Sequence, residues 1–119
     1  MIALEDGDYL ISLNQAIYHC LNELGFQANL FGRYCIHAAL LEILTNPSPK
    51  PPIYPFLIDK FQINYSRLEK RIRYAITRAA RNPTALWKEL FLNEQPAVLF
   101  CIYTIVIYIK YNYLGGDET

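Results

Sequence analysis

The stretch Ser66–Arg81, SRLEKRIRYAITRAAR, holds six of the chain's eleven basic residues, Arg67, Lys70, Arg71, Arg73, Arg78 and Arg81, against a single acid, Glu69. Cationic groups repeated along one side of a rod can neutralise the phosphates of a duplex, and side chains near the end of the rod can reach base edges in a groove. As a helix turning about 100° per residue, the stretch sets Leu68, Ile72, Ala75, Ile76 and Ala79 on one side and Arg67, Lys70, Arg71, Tyr74, Arg78 and Arg81 on the other. One side packs; the other is a cationic ridge. Ser66, with Glu69 three residues on, has the form of a capping box, in which hydroxyl and carboxylate each take a backbone N–H left unpaired at the helix start. This places the start at Ser66.

A basic helix face is most often solvated surface, so charge alone does not assign the chemistry. The residues before it add a second signal. Ile53–Tyr65, IYPFLIDKFQINY, supply a short apolar helix with Pro55 suited to its first turn, then a four-residue connector that includes Asn64. A short helix, a tight turn and a basic helix form the helix-turn-helix pattern.

With 119 residues, 53% apolar and 18% charged, the chain can bury a real core and reads as one domain, residues 1–114, with a mobile tail at 115–119. Its formal charge is zero, but the charge is segregated. Lys60, Lys88 and the six basic residues of the helix, set against Glu69 alone, give residues 60–88 a net of +7, whereas Glu5, Asp6 and Asp8 cluster near the start. Segregation rather than net charge makes a phosphate-facing surface. Cys20, Cys35 and Cys101 lie far apart among apolar residues and read as reduced core thiols. His19 beside Cys20 and His37 near Cys35 lack zinc-finger spacing, so no metal and no cofactor is expected. The start has neither the basic flank nor the apolar run of a signal peptide, which points to the cytosol.

The elements that must hold the basic helix follow from apolar spacing. Leu10, Leu13, Ile17, Cys20 and Leu24 mark a core helix over residues 8–24, ended by Gly25. A second helix runs from Leu30 or Gly32 to Leu44, with Tyr34, Cys35, Ala38 and Leu41 to pack; Gly32 would let a neighbouring backbone or a phosphate come close. Residues 45–55 contain five of the seven prolines and read as a stiff spacer rather than an SH3-type ligand. Asn82-Pro83 reads as an N-cap with proline at the first helical position of a helix through Leu86, Trp87, Leu90 and Phe91. Ala97–Ile109 is apolar except at Thr104, and periodicity does not separate helix from buried strand there. Pro96 at a first helical position, and the lack of a second strand to pair with, favour a helix buried on more than one side. Such a helix rises about 20 Å, short of the roughly 30 Å hydrocarbon core of a bilayer, so no membrane span is expected.

Three segments, LGFQANLFGRY, IYPFLIDKF and SRLEKRIRYAI, resemble the C-terminal effector domain of the sporulation master regulator, stage zero sporulation protein A, over about residues 10–110. Ser66, Arg67, Glu69, Ile72 and Arg73 match the most specific part of the pattern. The resemblance implies an all-α fold of six helices containing a helix-turn-helix, with the fourth helix in the major groove of promoter DNA and the last contributing to dimer contacts. It also implies RNA polymerase as a partner. The chain departs from the family at Lys70, where arginine is usual, at Arg71, where a small residue is common, and at Tyr74, where histidine is common. Its last helix is more apolar and the connector before it shorter. The receiver domain that normally precedes the module is not within these residues, so control by aspartyl phosphorylation in cis is not expected.

Two functions follow as expectations. In the first, the chain is a transcription regulator that binds double-stranded promoter DNA. Arg67 is placed to read guanine, and Glu69 could accept from cytosine N4 if its cap leaves it free. Asn64, Ser66, Lys70, Arg71, Arg73 and Tyr74 complete the DNA-facing set, while Lys60, Arg78 and Lys88 take phosphates. In the second, the chain is an interaction module, an antagonist that pairs with a full-length relative through its last helix. On that helix Val98, Ile102, Ile105 and Ile109 form one stripe, and Phe100, Tyr103, Ile107 and Tyr111 occupy the opposite side. That second side either joins the core or forms a homodimer surface. No nucleophile-base motif, glycine-rich phosphate loop or carboxylate cluster suggests an enzyme.

Overall fold

The apolar stripes fold, in a computed structural model that describes residues 3–48 and 50–114, into six α-helices with no strand among the described residues: α1 (Ala3–Glu23), α2 (Phe31–Thr45), α3 (Ile53–Phe61), α4 (Tyr65–Arg81), α5 (Ala85–Phe91) and α6 (Val98–Asn112). The fold is all-α, as the spacing predicts. The expected mobile tail, 115–119, lies outside the described residues.

The chain is organised around α2, which packs against α1, α3, α4 and α6. Its inward residues Cys35, Ile36, Ala39 and Leu40 are fully buried, whereas Tyr34, expected to pack, points outward and is largely exposed. The contact with α4 is the most extensive between any two helices. It depends on Gly32. A β-carbon there would overlap the carbonyl oxygen of Arg71 and come 2.8 Å from the Ala75 Cβ, so the two backbones touch where any larger residue would hold them apart. The packing reading of Gly32 is the one realised.

Helix α1 ends as its sequence predicts. Gly25 takes φ +87°, and the N–H groups of Gly25 and Phe26 return to the carbonyls of Asn22 and Leu21, the paired bonds of a Schellman motif. Leu13, Ile17, Cys20 and Leu24 are buried, but Leu10 is 44% exposed because the stripe continues past the helices that cover α1. The three thiols are buried and unpaired.

Helix α1 begins at Ala3, well before the expected start at residue 8, and three later helix starts differ from the sequence reading at their caps. Helix α4 begins at Tyr65, not Ser66, because Asn64 is its N-cap and accepts the Arg67 N–H at 2.9 Å. Ser66 therefore stands inside the first turn, and Glu69 pairs forward with Arg73 instead of back to a cap. Helix α5 is capped by Thr84, whose Oγ1 accepts the Trp87 N–H at 3.1 Å, while Asn82 is the C-cap of α4. Before α6, Ala97 is the N-cap and Pro96 lies outside the helix. In each case a nearby polar or extended residue takes the capping position one or two places from the one expected.

Helix α6 buries one face rather than several. Val98, Cys101, Ile102, Ile105, Val106 and Ile109 enter the core; Leu99, Phe100, Ile107 and Tyr111 are exposed. No helix among the described residues is long and apolar enough to cross a membrane.

Candidate nucleic-acid interface

Leu68, Ile72, Ala75, Ile76 and Ala79 of α4 are buried, and each large one contributes about 1.5–3 kcal/mol by leaving water. This anchoring turns the opposite side of α4 outward. Ser66, Arg67, Lys70, Arg71, Arg73, Tyr74 and Arg81 are exposed there, and Arg78 is half-buried. Arg67, Arg71, Tyr74 and Arg78 follow one another at spacings of four, three and four, which places them in a single row along the helix.

Aromatic rings hold two of its arginines, Arg71 and Arg78. The Arg71 guanidinium lies over the Phe31 ring, 5.6 Å from its centroid, and the Phe31 ring meets Phe61 edge-on at 5.3 Å. The Arg78 guanidinium lies 5.7 Å from the centre of the Tyr74 ring and donates to the Tyr74 hydroxyl at 2.8 Å. Rings that restrict an arginine without neutralising it lower the entropy lost when it meets an anion. Lys60, at the end of α3, sits over Phe61 at 5.8 Å.

On the other flank of α4, Arg73 forms an ion pair with Glu69 that raises its pKa. Both partners of this pair have part of their charge already answered. Beside it Tyr65, the first residue of α4, packs on Tyr54 with ring centres 5.0 Å apart. Burial, then Glu69 and Tyr65, push the Tyr54 hydroxyl up to about 12, so it stays a neutral donor.

The connector between α3 and α4 is set by Gln62, which adopts φ 52° where glycine is common, while the Ile63 N–H returns to the Ile58 carbonyl at 3.3 Å. Asn64 then starts α4. Lengths and order in α3–α4 are compatible with a helix-turn-helix.

Comparison with protein-family models, curated proteins and solved structures returned no match.

The geometry thus brings together Arg67, Lys70, Arg71, Tyr74 and Arg78 on one helix, with Asn64 at its tip and Lys60 across the Phe31–Phe61 pair. Lys88 is exposed on α5 but shares no hydrogen bond or ring contact with this row. Phe31, Phe61, Tyr54 and Tyr65 are the supports that the charge pattern missed, because aromatic side chains carry no charge signature. Among the described residues no group of three or more His, Cys, Asp or Glu could hold a metal ion. Burial raises the Cys20 and Cys101 thiols to about 12 and Cys35 to about 11, which removes them as thiolate ligands or nucleophiles near neutral pH.

Proposed function

We propose that the chain is a sequence-specific double-stranded DNA-binding protein, a cytoplasmic transcription regulator of the sporulation effector-domain kind, with α4 lying in the major groove. The observation that carries this reading is the outward row Arg67–Arg71–Tyr74–Arg78 beside Lys70, on a helix whose opposite side is anchored in the core. Arg67, beside the capped start of α4, is the base reader; Lys70, Arg71 and Arg78 meet phosphates. Lys60 and Lys88 extend the cationic surface. Promoter DNA is the partner, and RNA polymerase a second one by the resemblance. Nothing in this role calls for a catalytic step or a cofactor. Titration against a family-type promoter duplex and a random duplex at two salt concentrations tests it. Affinity falling steeply with salt, and tighter on the promoter, supports the proposal; a flat salt response overturns it.

A second role is favoured by the exposed face of α6. Phe100 is 62%, Ile107 57% and Tyr111 61% exposed, and the helix carries no charge from Val98 to Ile109. The proposal is that this face pairs with a second copy, presenting two α4 helices to repeated half-sites, or with a full-length relative as an antagonist. An antagonist would not bind the promoter duplex alone yet would abolish binding of that duplex by the relative.

A further inference from the structure

Arg33 is the only charged residue between Glu23 and Glu42, and it is just 4% exposed. Among the described residues no carboxylate pairs with it. Its guanidinium donates to the carbonyls of Phe26 at 2.8 Å and Tyr18 at 3.2 Å, and lies 5.1 Å from the centre of the Tyr18 ring. A buried cation answered only by dipoles leaves an unbalanced positive field around it. That field opens onto a groove of about 810 Å³ between α1, α2 and the end of α3.

The groove walls share one chemical character. Tyr18, Phe31, Tyr34 and Phe61 supply aromatic surface, and Arg33, His37 and Lys60 supply every ionisable group other than the tyrosines. No Asp or Glu lines it. Burial of the ring, and after it the charge of Arg33, hold the His37 pKa below its ordinary value, so His37 is neutral near pH 7. Its Nε2–H donates to Asn14 Oδ1 at 2.8 Å, and Asn14 in turn donates to the Leu10 carbonyl at 3.1 Å, which fixes the orientation of both side chains.

We propose that this groove binds a small aromatic carboxylate, its ring between the tyrosine and phenylalanine side chains and its carboxylate toward Arg33 and Lys60. The volume lies within the span of about 300–1,000 Å³ typical of small-molecule sites and far exceeds that of an inorganic anion. A phosphate would need several donors converging on one point, whereas here the cations stand on separate helices around a mostly apolar floor. A single negative head on a flat apolar body matches both features.

Calorimetric titration of the full chain with 1-naphthoate, in the absence of DNA, tests the site independently of the DNA-binding proposal. The expected result is saturable one-to-one binding, at least about tenfold tighter than that of the neutral analogue 1-naphthalenemethanol, a difference of the size a charge-assisted contact gives. Lys60→Gln should weaken the acid several-fold and leave the alcohol unchanged. Ala28→Trp, on the loop that lines the groove, should abolish both while circular dichroism stays that of the parent. Arg33→Gln also removes two ties to backbone carbonyls, so the surface variant Lys60→Gln carries the charge test. No saturable binding, equal binding of acid and alcohol, or full binding by a folded Ala28→Trp overturns the proposal.

Discussion

Gly32 on α2 and Arg71 on α4 meet backbone to backbone: the Arg71 carbonyl fills the space a β-carbon on residue 32 would need. Helix α4 is therefore seated by the absence of a side chain. Gly32→Ala must displace one backbone, and overpacking of this kind lowers stability by about 1–3 kcal/mol. Urea denaturation of the variant measures the loss. Helix propensity alone would favour alanine here, so the sign of the change separates contact from propensity.

Asn64 and Ser66 make a discriminating pair. Asn64 caps α4, so Asn64→Ala should lower stability by about 1 kcal/mol. Ser66, exposed in the first turn, makes no capping bond. Ser66→Ala should be close to neutral. Thermal melts of the two variants read the difference, and the reverse order would restore the capping box at Ser66.

Within the proposed interface, Lys70→Ala should weaken binding to every duplex and flatten the slope of log affinity against log salt by about 0.9. Arg67→Ala should instead lose about 1–3 kcal/mol on the preferred site and much less on random duplex. Fluorescence anisotropy at two salt concentrations distinguishes them. Equal losses on both duplexes would make Arg67 a phosphate contact.

The depressed pKa of His37 sets a pH dependence for stability. Because the ring is harder to protonate in the folded chain than in the unfolded one, the unfolded state binds the extra proton as pH falls below the ordinary value of 6.5. The contribution of His37 is whole above that value and is lost as pH drops toward the lower folded pKa. Denaturation midpoints measured from pH 7.5 to pH 5 should therefore fall, and His37→Gln should flatten the decline.

Ile107 is a cleaner probe of self-association than Tyr103, which is half-buried against the core. Sedimentation at tens of micromolar is expected to show a dimer for the parent chain and a folded monomer for Ile107→Glu. A monomeric parent would leave the α6 face without a second copy.

The helix content was legible because each helix with a clear apolar stripe buries it: the five inward residues of α4 are those the spacing selects. What the stripes could not specify was where they stop being covered. Leu10 and Tyr34 fit their helical patterns yet remain outside: residues 7–12 of α1 are exposed throughout, and Tyr34, between buried Arg33 and Cys35, faces the groove. Capping misled for a related reason. Asn64 and Ser66, or Asn82 and Thr84, are chemically interchangeable as caps, and the choice is made by where the chain enters the packed helix. Within the candidate site the cations were visible from charge, but the ring under Arg71, Phe31, comes from α2, and its approach depends on how α2 and α4 pack. Arg33 did leave a signal, a lone charge in an otherwise uncharged stretch.

At Glu23 the two ends of the chain's history meet. Its carbonyl accepts the Thr84 hydroxyl at 2.8 Å across 61 residues, and its carboxylate accepts the Tyr113 hydroxyl at 3.2 Å across 90. During synthesis, the end of α1 thus waits for partners made much later, and α4 emerges before the α6 surface it packs on exists. A nascent chain halted after Arg81 has the cationic ridge in sequence but lacks one wall of its seat. The close contact with α2 at Gly32 is available to α4 from that point, and the contact with α6 completes its seat only when the final helix arrives.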